Sequence, residues 1–443
     1  MAETTMTPAA DVEPAATARR QPRSPGEVSE AARLQSLRPE AERAESAPAP
    51  RTELWPALAA LRRWRVPWGW LGEWVVLLLV AFLYASPGTL DFSRTSLQQT
   101  GEHNESATLP VLAEIGRRYG EIPLWNPYMR TGFPHAGDFI NHYWNPVSTI
   151  PVLIWGGIVG MKVSIFISFV VAGLGQWVLA HQFGLRGMFR LWAAAMFVVS
   201  GGLAVLWRLG WYELLVGMAW FPWVYAGLWW SLRRRDLTSI VLTALGVAMI
   251  ITAGGGYYPF YLAGTGLVLL VVSLLMARRG ERLPQLRRAA AIGLFSGALC
   301  AVVLLPWIDG WRFTAREAGP DMQQQGSQPI PYALLNYVIQ QPEWYRATIL
   351  GTASGFNWFY IGAFPIFAAL AFGPLALTHP RYRRWLIPIL AVTVFILAWH
   401  ANRHSFMFQI YELVPFLYTF RFPGRLLILA TIPLLILTAL GLQ

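Results

Sequence analysis

A chain of 443 residues with 55% hydrophobic and only 13% charged side chains falls well short of the about 25% charged residues usual in soluble domains. With a mean hydropathy of +0.40 and apolar runs of about twenty residues, this composition excludes an ordinary soluble enzyme and indicates an all-α polytopic membrane protein embedded in a lipid bilayer. The net charge of +11 does not indicate a nucleic-acid partner. The basic residues are almost all arginine, with Lys162 the only lysine, and most sit in short clusters between apolar runs, as membrane topology requires.

Residues 1–50 are rich in Ala, Pro, Glu and Arg and poor in aromatics. They cannot bury enough apolar area to offset ordering entropy, so the sequence predicts a disordered cytoplasmic tail ahead of a membrane domain over 51–443. No apolar core of a signal peptide follows Met1. The hydropathy pattern places spans at roughly 69–86, 161–182, 189–206, 211–231, 238–254, 257–276, 288–308, 357–376, 384–399 and 424–443, about ten transmembrane helices. With the N-terminus inside, Arg186 and Arg190, then Arg233, Arg234 and Arg235, then Arg278, Arg279, Arg282, Arg287 and Arg288, then Arg381, Arg383 and Arg384 all fall on the cytoplasmic side. Extracytoplasmic loops then follow at 87–160, 309–356 and 400–423, with short turns at Arg208–Trp211 and Gly254–Gly256. Trp311, Trp344 and Trp358 suit an interfacial aromatic belt. Cys300, the only cysteine, falls within an apolar run and reads as packing.

The first outer loop concentrates the chemistry. Gly101–Pro146 carries five acidic residues and three histidines. Leu109, Leu112, Ile115 and Tyr119 recur at helical spacing, Arg117 and Arg118 suit a C-terminal turn, and Gly120 is a stop signal, so a short helix is predicted over Ser106–Tyr119. Val147–Val159 is a second short apolar stretch after Pro146. Both are expected to lie along the outer membrane surface. Glu114 and Glu121 lie near arginines that can pair with them. Glu102 and Glu105 flank His103 and Asn104, and such a cluster could take a proton from a hydroxyl or hold a divalent cation, Mg or Mn, through oxygen ligands. Asp138 joins them as a candidate, and His135, Asp138 and His142 have near-helical spacing that a metal could use, although it matches no zinc pattern.

Elsewhere, Arg421 and Arg425 could clamp a phosphate or anchor a helix end, and Arg208 has the same two readings. Lys162 reads as a snorkelling anchor, and His400 with His404 as interface histidines. Asn104-Glu105-Ser106 is a formal glycosylation sequon. No P-loop, dinucleotide fingerprint or Ser-His-Asp context is present, which argues against a cytoplasmic nucleotide enzyme.

Several strings resemble the YfhO-like family of bacterial membrane proteins, placed in the C superfamily of glycosyltransferases. They are Gly101-Glu102, Gly120-Glu121-Ile122-Pro123-Leu124-Trp125-Asn126-Pro127, Gly132-Phe133-Pro134, Trp144-Asn145-Pro146, Tyr360-Ile361-Gly362 and Phe420-Arg421-Phe422-Pro423-Gly424-Arg425, in family order across roughly 70–443. The resemblance implies a multi-helix enzyme of the bacterial plasma membrane that moves a sugar from a polyprenyl-phosphate carrier to an extracytoplasmic acceptor. It implies an acidic base or metal ligand in the first outer loop, with Glu102 the first candidate and Glu105 and Asp138 behind it. Two surface helices would form a jaw. Independently of the family, Arg421, Arg425, Arg208, Trp125, Asn126 and His142 are the candidate substrate-binding residues. Members continue beyond the position of Gln443, so the resemblance also implies a C-terminally truncated chain. A transporter or lipid-sugar flippase, or a catalytically inactive scaffold, would share the ten-span pattern, but a transporter would concentrate ionisable groups at the bilayer midplane.

Overall fold

Among the described residues, helices follow one another from Trp68 to Leu442 in an all-α polytopic membrane architecture, with two-residue strands as the only sheet structure. The computed structural model describes residues 68–93, 108–127, 132–135, 138, 142–234, 236–311, 323–324, 328–329, 360–378, 380–401, 406, 409–410, 413 and 423–443. The predicted tail over 1–50, Glu102, Glu105, Arg421, His404, Trp344 and Trp358 lie outside these residues, as do the side chains of Trp311, His400 and Arg425.

Helix α1, Trp68–Ala85, buries Leu77, Ala81 and Ala85. These lie one turn apart on a single face, where the small alanines let the backbone approach its neighbours. Val75, Leu79 and Phe82 on the other faces are exposed, as lipid-facing residues would be. The first outer loop supplies α2, Thr108–Tyr119, a hairpin of β1 (Trp125–Asn126) and β2 (Phe133–Pro134), and α3, Pro146–Trp155. There follow α4 (Gly157–Gln182), α5 (Gly187–Val198), α6 (Gly201–Arg208), α7 (Tyr212–Arg233), α8 (Leu237–Thr252) and α9 (Tyr258–Met276). Then come α10 (Arg279–Leu299), α11 (Ala301–Trp311), α12 (Ala363–Thr378), α13 (Pro380–Ala401), a 3-10 segment (Pro423–Ala430) and α14 (Thr431–Leu442).

Among the described residues four helices are long and apolar enough to cross a membrane: α1, α4, α5 with α6 as one run, and α9. A fifth crossing arises if α10 and α11, bent by 77° at Cys300, count together. The expected span over 288–308 is therefore a broken pair. Cys300 itself is fully buried at the break, in keeping with its packing role. Likewise 189–206 divides at Val199–Ser200 into α5 and α6, and 424–443 begins as a 3-10 segment.

The centre is α7, whose residues are buried on almost every side. It packs on α4 where a Cβ on Gly175 would lie 2.5 Å from Trp223 Cδ1, so only glycine admits that indole. Trp223 Nε1 then donates to Val171 O at 2.8 Å. Near the end of the bundle that carries Arg186 and Arg233, Arg190 makes a buried bidentate pair with Glu73, at 2.8 and 2.6 Å. Trp177 Nε1 also donates to Glu73, at 2.6 Å, and the Arg190 guanidinium lies 4.4 Å from the Trp177 ring centroid.

Lys162 does not snorkel. It is 1% exposed, and its Nζ donates to Asp91 O at 2.6 Å. The carbonyl of the preceding loop closes over the lysine, so its charge is met inside the protein and not at the interface.

Candidate functional site

Helix α2 forms as its periodicity requires, with Leu109 and Leu112 fully buried. Tyr119, predicted on the same face, is exposed because the helix leaves the protein in its last turn. Arg117 pairs with Glu114 at 2.9 Å, and Arg118 approaches Glu114 at 3.6 Å, so this carboxylate is engaged locally. Gly120 takes φ +69° and closes the helix by donating to Gly116 O at 2.9 Å. Side chains other than glycine rarely adopt that φ.

The Trp-Asn-Pro string then turns into the hairpin. Trp125 stands opposite Pro134 and Asn126 opposite Phe133. Gly132, at φ +93°, lies under the Trp125 indole, where a Cβ would fall 2.8 Å from the ring. Asn126 is buried while Trp125 is 54% exposed, so the string presents an aromatic face outward. His135 N donates to Leu124 O at 2.8 Å, and Asp138 N donates to His135 O at 3.1 Å. Asp138 is half-buried.

His135 and His142 are both 1% exposed. His135 meets Tyr143 edge-on at 5.5 Å, and Tyr143 meets Trp144 at 5.4 Å. His142 Nδ1 shares a hydrogen bond of 3.0 Å with Ser148 Oγ, while its buried Nε2 has no partner among the described residues. Burial lowers His135 to about 4. Burial, with the like positive charge that His135 would carry, lowers His142 to about 3. Both imidazoles are therefore neutral at physiological pH.

Asn145 joins the loop to the bundle. Its Oδ1 caps α3 by accepting from Val147 N at 3.0 Å, and its Nδ2 donates to Met249 O at 2.8 Å and Thr252 Oγ1 at 3.2 Å. Gly156 (φ 80°, ψ 176°) then reverses the chain into α4. The two helices touch where a Cβ on Gly160 would lie 2.5 Å from Pro151 O. The Tyr360-Ile361-Gly362 string meets the bundle in a comparable way: Tyr360 O accepts from Gly201 N at 2.7 Å, at the start of α6.

Of the candidates, Trp125, Asn126, Asp138 and His142 thus lie in one folded loop, and Arg208 is exposed at the end of α6. Glu102, Glu105 and Arg421 lie outside the described residues, as does the side chain of Arg425. Among the described residues no three His, Cys, Asp or Glu side chains converge as a metal site, so His135, Asp138 and His142 do not form one. Glu102, the other ligand expected beside Asp138, lies outside the described residues. Sequence reasoning missed Asn145 as the residue that fastens the loop. The signal was its position as a capping residue directly before a proline.

No family model and no curated protein matches the sequence. Solved structures similar to it include the archaeal oligosaccharyltransferase AglB from Archaeoglobus fulgidus in complex with an inhibitory peptide and a dolichol-phosphate. That likeness has a TM-score of 0.46 and 15% identity, over 85% of this chain and 50% of that one. The apo form of the Archaeoglobus fulgidus oligosaccharyltransferase gives a TM-score of 0.40 and 14% identity, over 84% of this chain and 50% of that one. The chain spans about half the length of these proteins. The likeness is one of helical arrangement.

Proposed function

We propose that the chain is an integral-membrane glycosyltransferase of the C superfamily. It would take a sugar from a polyprenyl-phosphate-linked donor and deliver it to an extracytoplasmic acceptor at the bacterial plasma membrane. The observation that carries this reading is the gathering of the Trp125-Asn126, Gly132-Phe133-Pro134 and Trp144-Asn145-Pro146 strings into one loop fastened to α8 by Asn145. Those strings carry the resemblance to the YfhO-like family, and their convergence supports a common site.

In this reading the acceptor hydroxyl oxygen attacks the anomeric carbon while the bond from that carbon to the carrier phosphate oxygen breaks. The hydroxyl proton passes to Glu102, with Glu105 and Asp138 as the alternative bases, and the carrier leaves with the electron pair as its phosphate. A single displacement inverts the anomeric centre. Arg421, Arg425 and Arg208 hold the phosphate, which suits guanidinium geometry. Trp125 offers an exposed indole against which a sugar ring can lie. A cation held by Glu102 and Asp138 would neutralise charge on the same phosphate.

Transfer of labelled sugar from a polyprenyl-phosphate sugar in membranes containing the full chain tests the reading. Replacing both Glu102 and Glu105 by Gln is expected to lower transfer by about 100-fold or more. Full activity in that double variant would remove the acidic cluster from the mechanism. Loss of transfer in EDTA, restored by Mg or Mn, would support the cation.

A further inference from the structure

We propose that His181 is an acid-sensitive latch: neutral, it completes the joint of α1, α4 and α5, and protonated, it releases the first turns of α1. The joint is built on Arg190. Its Nε and Nη2 donate to the two oxygens of Glu73, at 2.8 and 2.6 Å. Its Nη1 lies 2.8 Å from His181 Nδ1. A guanidinium carries donors only, so Nδ1 is the acceptor and the ring is the neutral form with its proton on Nε2. Glu73 also accepts from Trp177 Nε1 at 2.6 Å, so both of its oxygens are engaged.

One imidazole touches all three helices. It stacks on Trp177 of its own helix, with centroids 5.6 Å apart and planes 14° apart. It meets Trp70 of α1 edge-on at 4.8 Å, and Trp70 meets Trp177 at 5.3 Å. Arg190 ties it to α5. His181 is nevertheless exposed, while the Arg190 side chain is 6% exposed. Solvent protons therefore reach the ring, and the guanidinium that it serves stays buried. Protonation of Nδ1 removes the acceptor and brings a second cation against Arg190. Like charges at hydrogen-bond distance repel, so the exposed ring turns toward water, Nη1 loses its acceptor and Trp70 loses its partner.

Two charged groups act on His181, Arg190 from α5 and Glu73 from α1. Among the described residues, α7 and α14, which pack on α4 and α5, bring no further titratable group to bear on it. Glu73 attracts an imidazolium, but a protonated His181 then competes with Arg190 for the same carboxylate. Either way the joint loosens at α1. No residue of α1 ahead of Leu77 is buried, so Trp70, Glu73 and Trp74 are its fastenings there. The same helix leads at its other end into the first outer loop, where the Asp91 carbonyl closes over Lys162. A proton taken up at the arginine-bearing end thus loosens the helix that enters the candidate loop.

Hydrogen–deuterium exchange of the purified full chain in detergent tests the latch, read by mass spectrometry on peptides over 68–77 and corrected for the intrinsic effect of pH on exchange. Exchange there is expected to be about tenfold faster at about pH 5 than at about pH 7.5. His181→Asn keeps an acceptor for Arg190 that does not titrate, and should stay slow at both values. His181→Ala removes the acceptor and should be fast at both. Because the readout is confined to the start of α1, titration of His135 and His142 in the outer loop does not enter it. Equal rates in the unmodified chain at the two values overturn the proposal. So does a His181→Asn variant that still responds to acid, or a His181→Ala variant as slow at about pH 7.5 as the unmodified chain.

Discussion

Asn145 shows how much one buried amide can decide. Its oxygen caps α3 and its nitrogen holds two buried acceptors on α8, while Asn145 itself is fully buried. Asn145→Ala removes a cap worth about 1 kcal/mol and leaves buried acceptors unmet, so a loss of about 2–4 kcal/mol is expected as a lowered unfolding temperature in detergent. His142 and His135 act in the same loop through their protonation. Their folded values, about 3 and about 4, lie below the ordinary 6.5. The unfolded chain therefore binds more protons than the folded one below about pH 6.5, and stability rises with pH. The contribution is complete above the ordinary value and is lost as pH falls from about 6.5 toward the folded values. Tryptophan fluorescence, with Trp125 and Trp144 as reporters, should show the loop loosening between about pH 6 and pH 4, and His142→Phe should flatten that transition.

At the scale of elements, α1, α4 and α5 meet at the Glu73–Arg190 pair. Both side chains are nearly buried, 14% and 6% exposed, and Trp177 covers the guanidinium. Arg190→Ala strands the Glu73 carboxylate and is expected to lower stability by about 3–5 kcal/mol. Replacing both partners by Leu should lower it far less, a contrast that thermal unfolding of the two variants measures. Helix α2 was legible in the sequence because periodicity, terminal arginines and Gly120 are local signals. The pairing of Arg190 with Glu73 was not, because arginine runs between spans read only as topology markers. Lys162 misled for a related reason: hydropathy cannot know that the Asp91 carbonyl will close over it. The bend at Cys300 was equally invisible, since 288–308 is uniformly apolar apart from its first turn.

For the whole molecule, Cys300 makes topology testable. It is the only cysteine and is fully buried, so the native chain should resist membrane-impermeant thiol reagents. If the arginine clusters lie inside, Glu121→Cys is expected to react from outside in intact cells. Arg282→Cys should react only after permeabilisation, which labelling of the two variants side by side decides. Composition and arginine spacing alone determined the helical membrane class, the positions of most helices and the loop that holds the family-like strings, because burial in lipid and charge bias act on local segments. Only the tertiary structure decided which residues of that loop are fastened and buried. Asn145 reaches partners more than a hundred positions away, and His142 owes its neutrality to burial, which no spacing along the chain encodes.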